Sequence, residues 1–381
     1  MASVLNPNYL KFCGERLIDM YKWETEEIYD FLYNACNFFP FDRKVPTDWE
    51  ESLEDNFRPL NPKTKKPDAR YNPSQHIYRT PTGEDLKLDT SSKFNVNLDG
   101  NWKHTTPDPA RISGLASDGG VSYWNHYDLL GFILSLLKED LDGAKKDNFF
   151  LPLTAVYGRW CAKIGGNGKT DKHPKPPTAE GITAMADKPK GVGAVPTVFQ
   201  CTWMTAQDGV CFALGSSLAG FEKAGEKWKE RLRTYRFDLL HGWNNIHTLT
   251  RKVKVEGKEK EETWHFNNSP NRSNKGDAGT HFGNCGETYP FLHIFRSLDV
   301  KAREDVNGLA LKSFYLKNEV LEEQYSPLEI HKKAFEGSSA LYLIPPCDNC
   351  EYLIQVANGK KENFVYSPVD NPTGSKDVPP S

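Results

Sequence analysis

Residues 339 to 356, SALYLIPPCDNCEYLIQV, constrain the fold more than any other stretch of the chain. An apolar run ends in Pro345-Pro346, then Cys347 and Cys350 open a segment that can be helical. Cys-x-x-Cys at a helix N-terminus aims both sulfurs at one point, because the first turn directs its free N–H groups and side chains into the same volume. Thiolates near that positive helix end are electrostatically favoured, and their pKa falls.

A second stretch, HFGNCGETYPFLHIF at 281 to 295, sets Cys285 and Glu287 before another apolar segment. Alone it reads as a helix start, with Asn284 as N-cap and Glu287, three positions later, as the reciprocal half of a capping box. Together with the first stretch it offers a third sulfur. Zinc on Cys285, Cys347 and Cys350 would keep a fourth position open for water, as catalytic sites do. Three thiolates blunt its Lewis acidity, and two helix N-termini partly offset that charge. Glu287, two residues after one ligand, can reach that water, take a proton and deliver it to a ring nitrogen and a leaving amine. A structural zinc is the rival reading, with His281, His293 or His331 as fourth ligand. A thioredoxin-like redox role for CDNC leaves the Cys285-x-Glu287 pair unexplained.

The remaining cysteines (Cys13, Cys36, Cys161, Cys201, Cys211) are scattered, which argues against a disulfide framework. At 381 residues and 38% apolar content, the chain can bury one large core or two of moderate size. With 48 Lys and Arg against 51 Asp and Glu, the net charge of −3 supplies no global attraction to phosphate backbones. A nucleic-acid partner must then be met by a local basic patch. Asn6, Pro7 and Asn8 interrupt the N-terminus where an export signal needs an apolar core, and LLGFILSLL at 129 to 137 is too short to span a bilayer. A soluble, intracellular protein with no membrane partner is the expectation.

Along the chain, 22 to 38 shows helical spacing, with Ile28, Phe31, Leu32 and Ala35 on one stripe. Residues 40 to 120, rich in Pro, Asn, Asp and Gly, read as long loops, and 122 to 141 as an apolar core helix. GGNGKT fails as a phosphate loop, since Lys163 stands where glycine is needed and KHPKPP cannot open a helix. Residues 163 to 190 hold six lysines against Asp171, Glu180 and Asp187, a basic and loop-like stretch. VFQCTWMT reads as a short buried strand, 219 to 241 as a long basic helix, and 247 to 268 as a hairpin.

Cys285-Gly286-Glu287 opening one helix and Pro346-Cys347-Asp348-Asn349-Cys350 opening the next resemble the zinc signature of the cytidine deaminase superfamily. The order helix, hairpin, Cys-x-Glu helix, strand, Pro-Cys-x-x-Cys helix is similar too, over about residues 220 to 370. The all-cysteine set is most similar to toxin-type and fungal nucleic-acid or nucleotide deaminases. The resemblance implies an α/β fold: a cytidine deaminase-like three-layer α/β/α domain at 201–370, after a mainly helical, loop-rich region at 1–200 and before a flexible tail at 371–381. It implies Zn2+ as cofactor, Cys285, Cys347 and Cys350 as ligands, and Glu287 as general acid and base. Two features depart from it: an inserted element, VNGLALKSFYLKNEVLEEQYSPLEIHKKAF, widens the gap between the motifs, and only NFVYSPV follows as a clear strand.

The motif does not choose the base, since cytosine and adenine are deaminated with the same groups. The all-cysteine set tilts toward cytosine to uracil, and the basic helix and lysine-rich loop favour a nucleic acid over a free nucleoside or nucleotide. Tyr289, Phe291, Phe295, Trp264 and Phe266 could stack on a base, although such spacing is more often core. Asn284 and His281, beside a metal ligand, are candidates for lining the substrate pocket.

Overall fold

The computed structural model describes residues 10–34, 94–97, 120–123, 125–137, 141–165, 194–206, 209–220, 228–243, 248–255, 257–265, 280–313 and 343–364. Its architecture is mixed α/β, helices with small antiparallel sheets. The N-terminal part holds β1 (Lys11–Phe12), β2 (Glu15–Arg16), α1 (Leu17–Met20) and α2 (Thr25–Asn34). The ribbon of β3 (Phe94–Asn97) and β4 (Gly120–Tyr123) comes next, followed by α3 (His126–Leu136) and α4 (Leu151–Ile164).

VFQCTWMT becomes β5 (Val198–Ala206), the centre of the main sheet. It is flanked by β6 (Gly209–Ser216) on one side and by β9 (Asn307–Lys312) on the other, and the two-residue β10 (Leu343–Ile344) adds to β9. Every pairing is antiparallel, with Cys201 opposite both Leu214 and Leu309. Alternation along β5 sorts its side chains between two faces. Phe199 meets Tyr157 of α4 edge-on at 5.5 Å, and Trp203 stacks on Phe150 at 4.2 Å. Gln200 turns the other way, toward the segment that opens α6 (Thr288–Ser297), so helices cover both faces.

The edge of β6 is closed by α3. This largely apolar helix is buried all round, and its N-cap Asn125 accepts the Tyr127 N–H at 2.8 Å. Ser135 Oγ accepts the N–H of Leu214 at 2.9 Å. Gly131 permits that approach, since a Cβ there would lie 2.6 Å from the Leu214 carbonyl oxygen. Covering a strand edge in this way removes a site for unwanted strand pairing.

As the helical stripe predicts, α2 buries Ile28, Phe31 and Leu32; Ala35 lies outside the described residues. Trp160 of α4 stacks on Trp23 and donates its indole N–H to the Met20 carbonyl at 2.8 Å. One continuous set of buried side chains runs from Phe12 to Phe364, so helices before residue 200 and the sheet after it share a core.

Three expectations about elements are corrected. The hairpin expected at 247 to 268 forms, as β7 (Thr248–Val255) and β8 (Lys258–His265), but as a separate ribbon; the sheet takes its hairpin from β5 and β6. GLALK, read as part of an insertion, is the inner strand β9, while the apolar LYLI run supplies only Leu343 and Ile344 to strand pairing among the described residues. NFVYSPV does not open as a strand: Lys361–Phe364 is a 3-10 turn, and Phe364 fills the space left by Gly308 against Phe291 and Phe295. The long basic helix appears as α5 (Trp228–Trp243), with residues 221–227 outside the described part. Also outside it are most of 40–120, the lysine-rich loop from 166, the rest of the inserted element, His331, Phe266 and the tail. No helix among the described residues is long and apolar enough to cross a membrane.

Candidate metal centre

Cys347 is the N-cap of α7 (Asp348–Val356), with an extended backbone that ends the strand and starts the helix. Cys350 follows one turn in, its Sγ 3.6 Å from that of Cys347. Cys285 arrives from the turn before α6, and its Sγ stands 3.4 Å from Cys347 Sγ. Sulfurs bound tetrahedrally at about 2.3 Å stand roughly 3.8 Å apart, so a common ion fits these positions with little rearrangement. All three sulfurs lie within 4.8 Å of one another, and among the described residues no histidine nitrogen or carboxylate joins the group. His293, considered as a fourth ligand, instead bonds the Tyr123 hydroxyl through Nε2 in the core.

The sulfurs differ in proton affinity. Cys347 is pushed well below the ordinary thiol range by its side-chain hydrogen bonds with Cys285 and Cys350, helped by the backbone N–H groups of Cys350 and Asn349. Cys285 is pushed up, chiefly by its bond to Cys347, and Cys350 is pushed up by burial. The helix N-terminus favours negative charge at Cys347, and a divalent cation bound there would displace thiol protons.

The capping box does not form. α6 starts at Thr288, Glu287 occupies the N-cap without a capping side-chain bond, and Asn284 sits a turn earlier. That turn is fixed by other means: Leu218 N–H donates to the Asn284 carbonyl at 2.8 Å, and the Thr288 hydroxyl donates to the Cys285 carbonyl at 2.9 Å. The Glu287 carboxyl is thereby free to face the sulfurs, and a side-chain interaction with Cys350 favours its charged form. It is 6% exposed, and burial, with the Cys347 charge adding, pushes its pKa up to about 7 against the opposing bonds and Arg236.

Two contacts that the sequence did not reveal hold this loop. Arg236 of α5 donates to the carbonyls of Cys285 at 2.7 Å and Ser216 at 3.0 Å, lies 5.5 Å over the Tyr289 ring, and faces Asp128 of α3 at 3.5 Å. Both charged side chains are buried, and desolvation raises the Asp128 pKa to about 6 despite the guanidinium. At Gly215 the sheet touches the loop directly: a Cβ there would lie 2.5 Å from the Gly286 carbonyl oxygen and 2.5 Å from Pro290 Cδ.

The cluster forms part of the wall of a cavity of about 900 Å³. Cys285, Glu287, Cys347, His281 and Asn284 all line it, while Cys350 is buried. The structure thus brings together Cys285, Cys347, Cys350, Glu287, His281 and Asn284. Of the aromatics considered for stacking, Tyr289, Phe291 and Phe295 are core residues, with Tyr289 stacked on Tyr123 at 4.8 Å. Cys285, Cys347 and Cys350 can therefore bind a metal ion at the rim of a cavity that also exposes a carboxyl group. Compared with protein-family models, curated proteins and solved structures, the chain matches none.

Proposed function

We propose that this chain is a zinc-dependent hydrolytic deaminase that converts cytosine to uracil in a nucleic acid. The observation that carries the reading is the convergence of three sulfurs from two helix starts at a cavity, with Glu287 beside them. Cys285, Cys347 and Cys350 would hold the ion. Zinc bound there would make water a stronger acid and nucleophile near neutral pH.

Glu287 takes the first proton of the attacking water and passes it to ring N3, then takes the second from the hydroxyl now on C4 and passes it to the leaving amine. Oxygen forms a bond to C4, the bond from C4 to the exocyclic nitrogen breaks, and ammonia leaves. Burial of the carboxyl and its freedom from capping duty suit it to this shuttle. Helices on both faces of the sheet, with the Cys-x-Glu and Cys-x-x-Cys segments meeting at one face, support a cytidine deaminase-like three-layer fold.

A second reading is a structural zinc held by the three cysteines and one histidine, and His281, which lines the same cavity, is the residue that favours it. The test is zinc content of the purified protein, then mass-spectrometric readout of deamination on cytidine, single-stranded DNA, double-stranded DNA and RNA. Glu287→Ala is expected to lower turnover by about 10²- to 10⁴-fold with zinc retained. Full zinc occupancy with no deamination of any substrate would favour the structural site, and full activity in Glu287→Ala would end the proposed mechanism.

A further inference from the structure

α5 contributes Lys229 and Arg233 to the cavity that holds the sulfurs and Glu287. Four residues apart, they share one helix face. Arg233 is unlike a solvated surface arginine: it is half-buried, and its Nε is buried with no hydrogen-bond partner. Folded proteins satisfy such a buried donor with water, an ion or a ligand.

Its position is also fixed by the metal-binding loop. Gly283, with φ +86, presses against α5 so closely that a Cβ would lie 2.5 Å from the Arg233 carbonyl oxygen. The loop that delivers Cys285 therefore sets where Arg233 stands. A guanidinium offers paired N–H donors in the geometry of a phosphate, and Lys229 adds a point charge beside it. Glu230 lines the cavity too, so this part of the wall carries both signs of charge. At about 900 Å³ the cavity stands near the top of the range for small-molecule sites, roughly 300–1,000 Å³, which leaves room beyond a pyrimidine and its sugar.

We infer that Arg233 and Lys229 form a phosphate subsite of this cavity, so that its ligand is a nucleotide unit carrying phosphate and not a free base or nucleoside. The base chemistry rests on the deaminase reading; the phosphate contact does not.

Zinc-loaded wild-type protein and the variants Arg233→Gln, Arg233→Lys and Lys229→Gln are titrated with inorganic phosphate, 5′-CMP, cytidine and a short cytosine-containing single strand, by calorimetry and thermal shift. Phosphate and CMP are expected to bind wild type, CMP at least about tenfold more tightly than cytidine, with that preference largely lost in Arg233→Gln and partly kept in Arg233→Lys. The ratio of kcat/KM for CMP to that for cytidine should fall in parallel. The CMP and oligonucleotide arms tell a mononucleotide phosphate from a polymer phosphate. Phosphate binding that Arg233→Gln abolishes, with no base deaminated, keeps the subsite and rejects the deaminase reading. No phosphate binding, or equal weakening of CMP and cytidine by Arg233→Gln, overturns the subsite.

Discussion

Arg236 donates to the carbonyl oxygen of Cys285 at 2.7 Å, so a metal-ligand residue is positioned by a buried cation from another helix. That cation forms a buried ion pair with Asp128 at 3.5 Å. Arg236→Gln would leave Asp128 uncompensated and cost about 3–5 kcal/mol of stability. Adding Asp128→Asn should recover part of that loss, because the orphaned charge is removed, without restoring metal affinity. Urea unfolding and zinc titration of both variants check the two expectations; equal zinc affinity in wild type and Arg236→Gln would show that the loop holds its shape without it.

The contact of Gly215 with the metal loop makes a second prediction. Gly215→Ala should cost about 1–3 kcal/mol through overpacking, because backbone and a proline ring cannot yield as a flexible side chain can. Pushing the Gly286 carbonyl away also moves Cys285, so zinc affinity should fall more than in Gly257→Ala, where the added Cβ meets nothing within 4 Å and the cost is backbone strain at φ +79. Melting curves with and without zinc separate the two effects.

Metal removal should be visible in stability itself. Free zinc at 100 times its Kd adds about 2.7 kcal/mol to a chain that binds it only when folded. Chelation should lower Tm, and Cys347→Ser, which removes the sulfur nearest both others, should erase the zinc-dependent shift. A Tm indifferent to zinc and chelator in wild type would remove the metal centre.

The pH profile has opposing contributions. His293 is pushed down to about 3 by burial, with Arg296 adding. The unfolded chain therefore binds the extra proton first: this stability is present above about 6.5 and is lost as pH falls toward 3. Asp128, raised to about 6, acts in the other sense, its stability present below about 4 and lost as pH rises through 6. His293→Gln should flatten the acid-side fall, and Asp128→Asn should leave a steeper rise of stability between pH 4 and 6. Chemical unfolding across pH 3 to 7 measures both slopes.

The candidate site is legible in the sequence where spacing alone fixes direction. Cys347 and Cys350 must share the first turn of a helix, and Glu287 must follow Cys285 closely, wherever those segments pack. The capping box is a false signal because Asn284 and Glu287 have suitable spacing, yet Leu218 and Arg236 impose a turn that places the N-cap three residues later. β6 carries no strand signal of its own, since FALGSS lacks alternation; it is a strand because β5 lies beside it and α3 covers its edge. β9 passes for insertion for a similar reason, as six residues beginning Asn-Gly give little signal until Leu309 and Leu311 find β5. Asp128 and Arg236 look like an ordinary helix acid and one cation of a basic helix, and their meeting depends on tertiary contacts that no local pattern encodes.

The pairing of β9 with β5, Val198 against Lys312, bears on when the site comes into being. Cys285 and Cys347 are 62 residues apart, and both flank a strand whose partner lies far upstream, a high-contact-order arrangement that forms slowly. Early in folding an ion would find only the local Cys347 and Cys350 pair. The third sulfur joins after the long loop has closed, so a three-thiolate cobalt absorption band would serve as a clock for completion of the sheet.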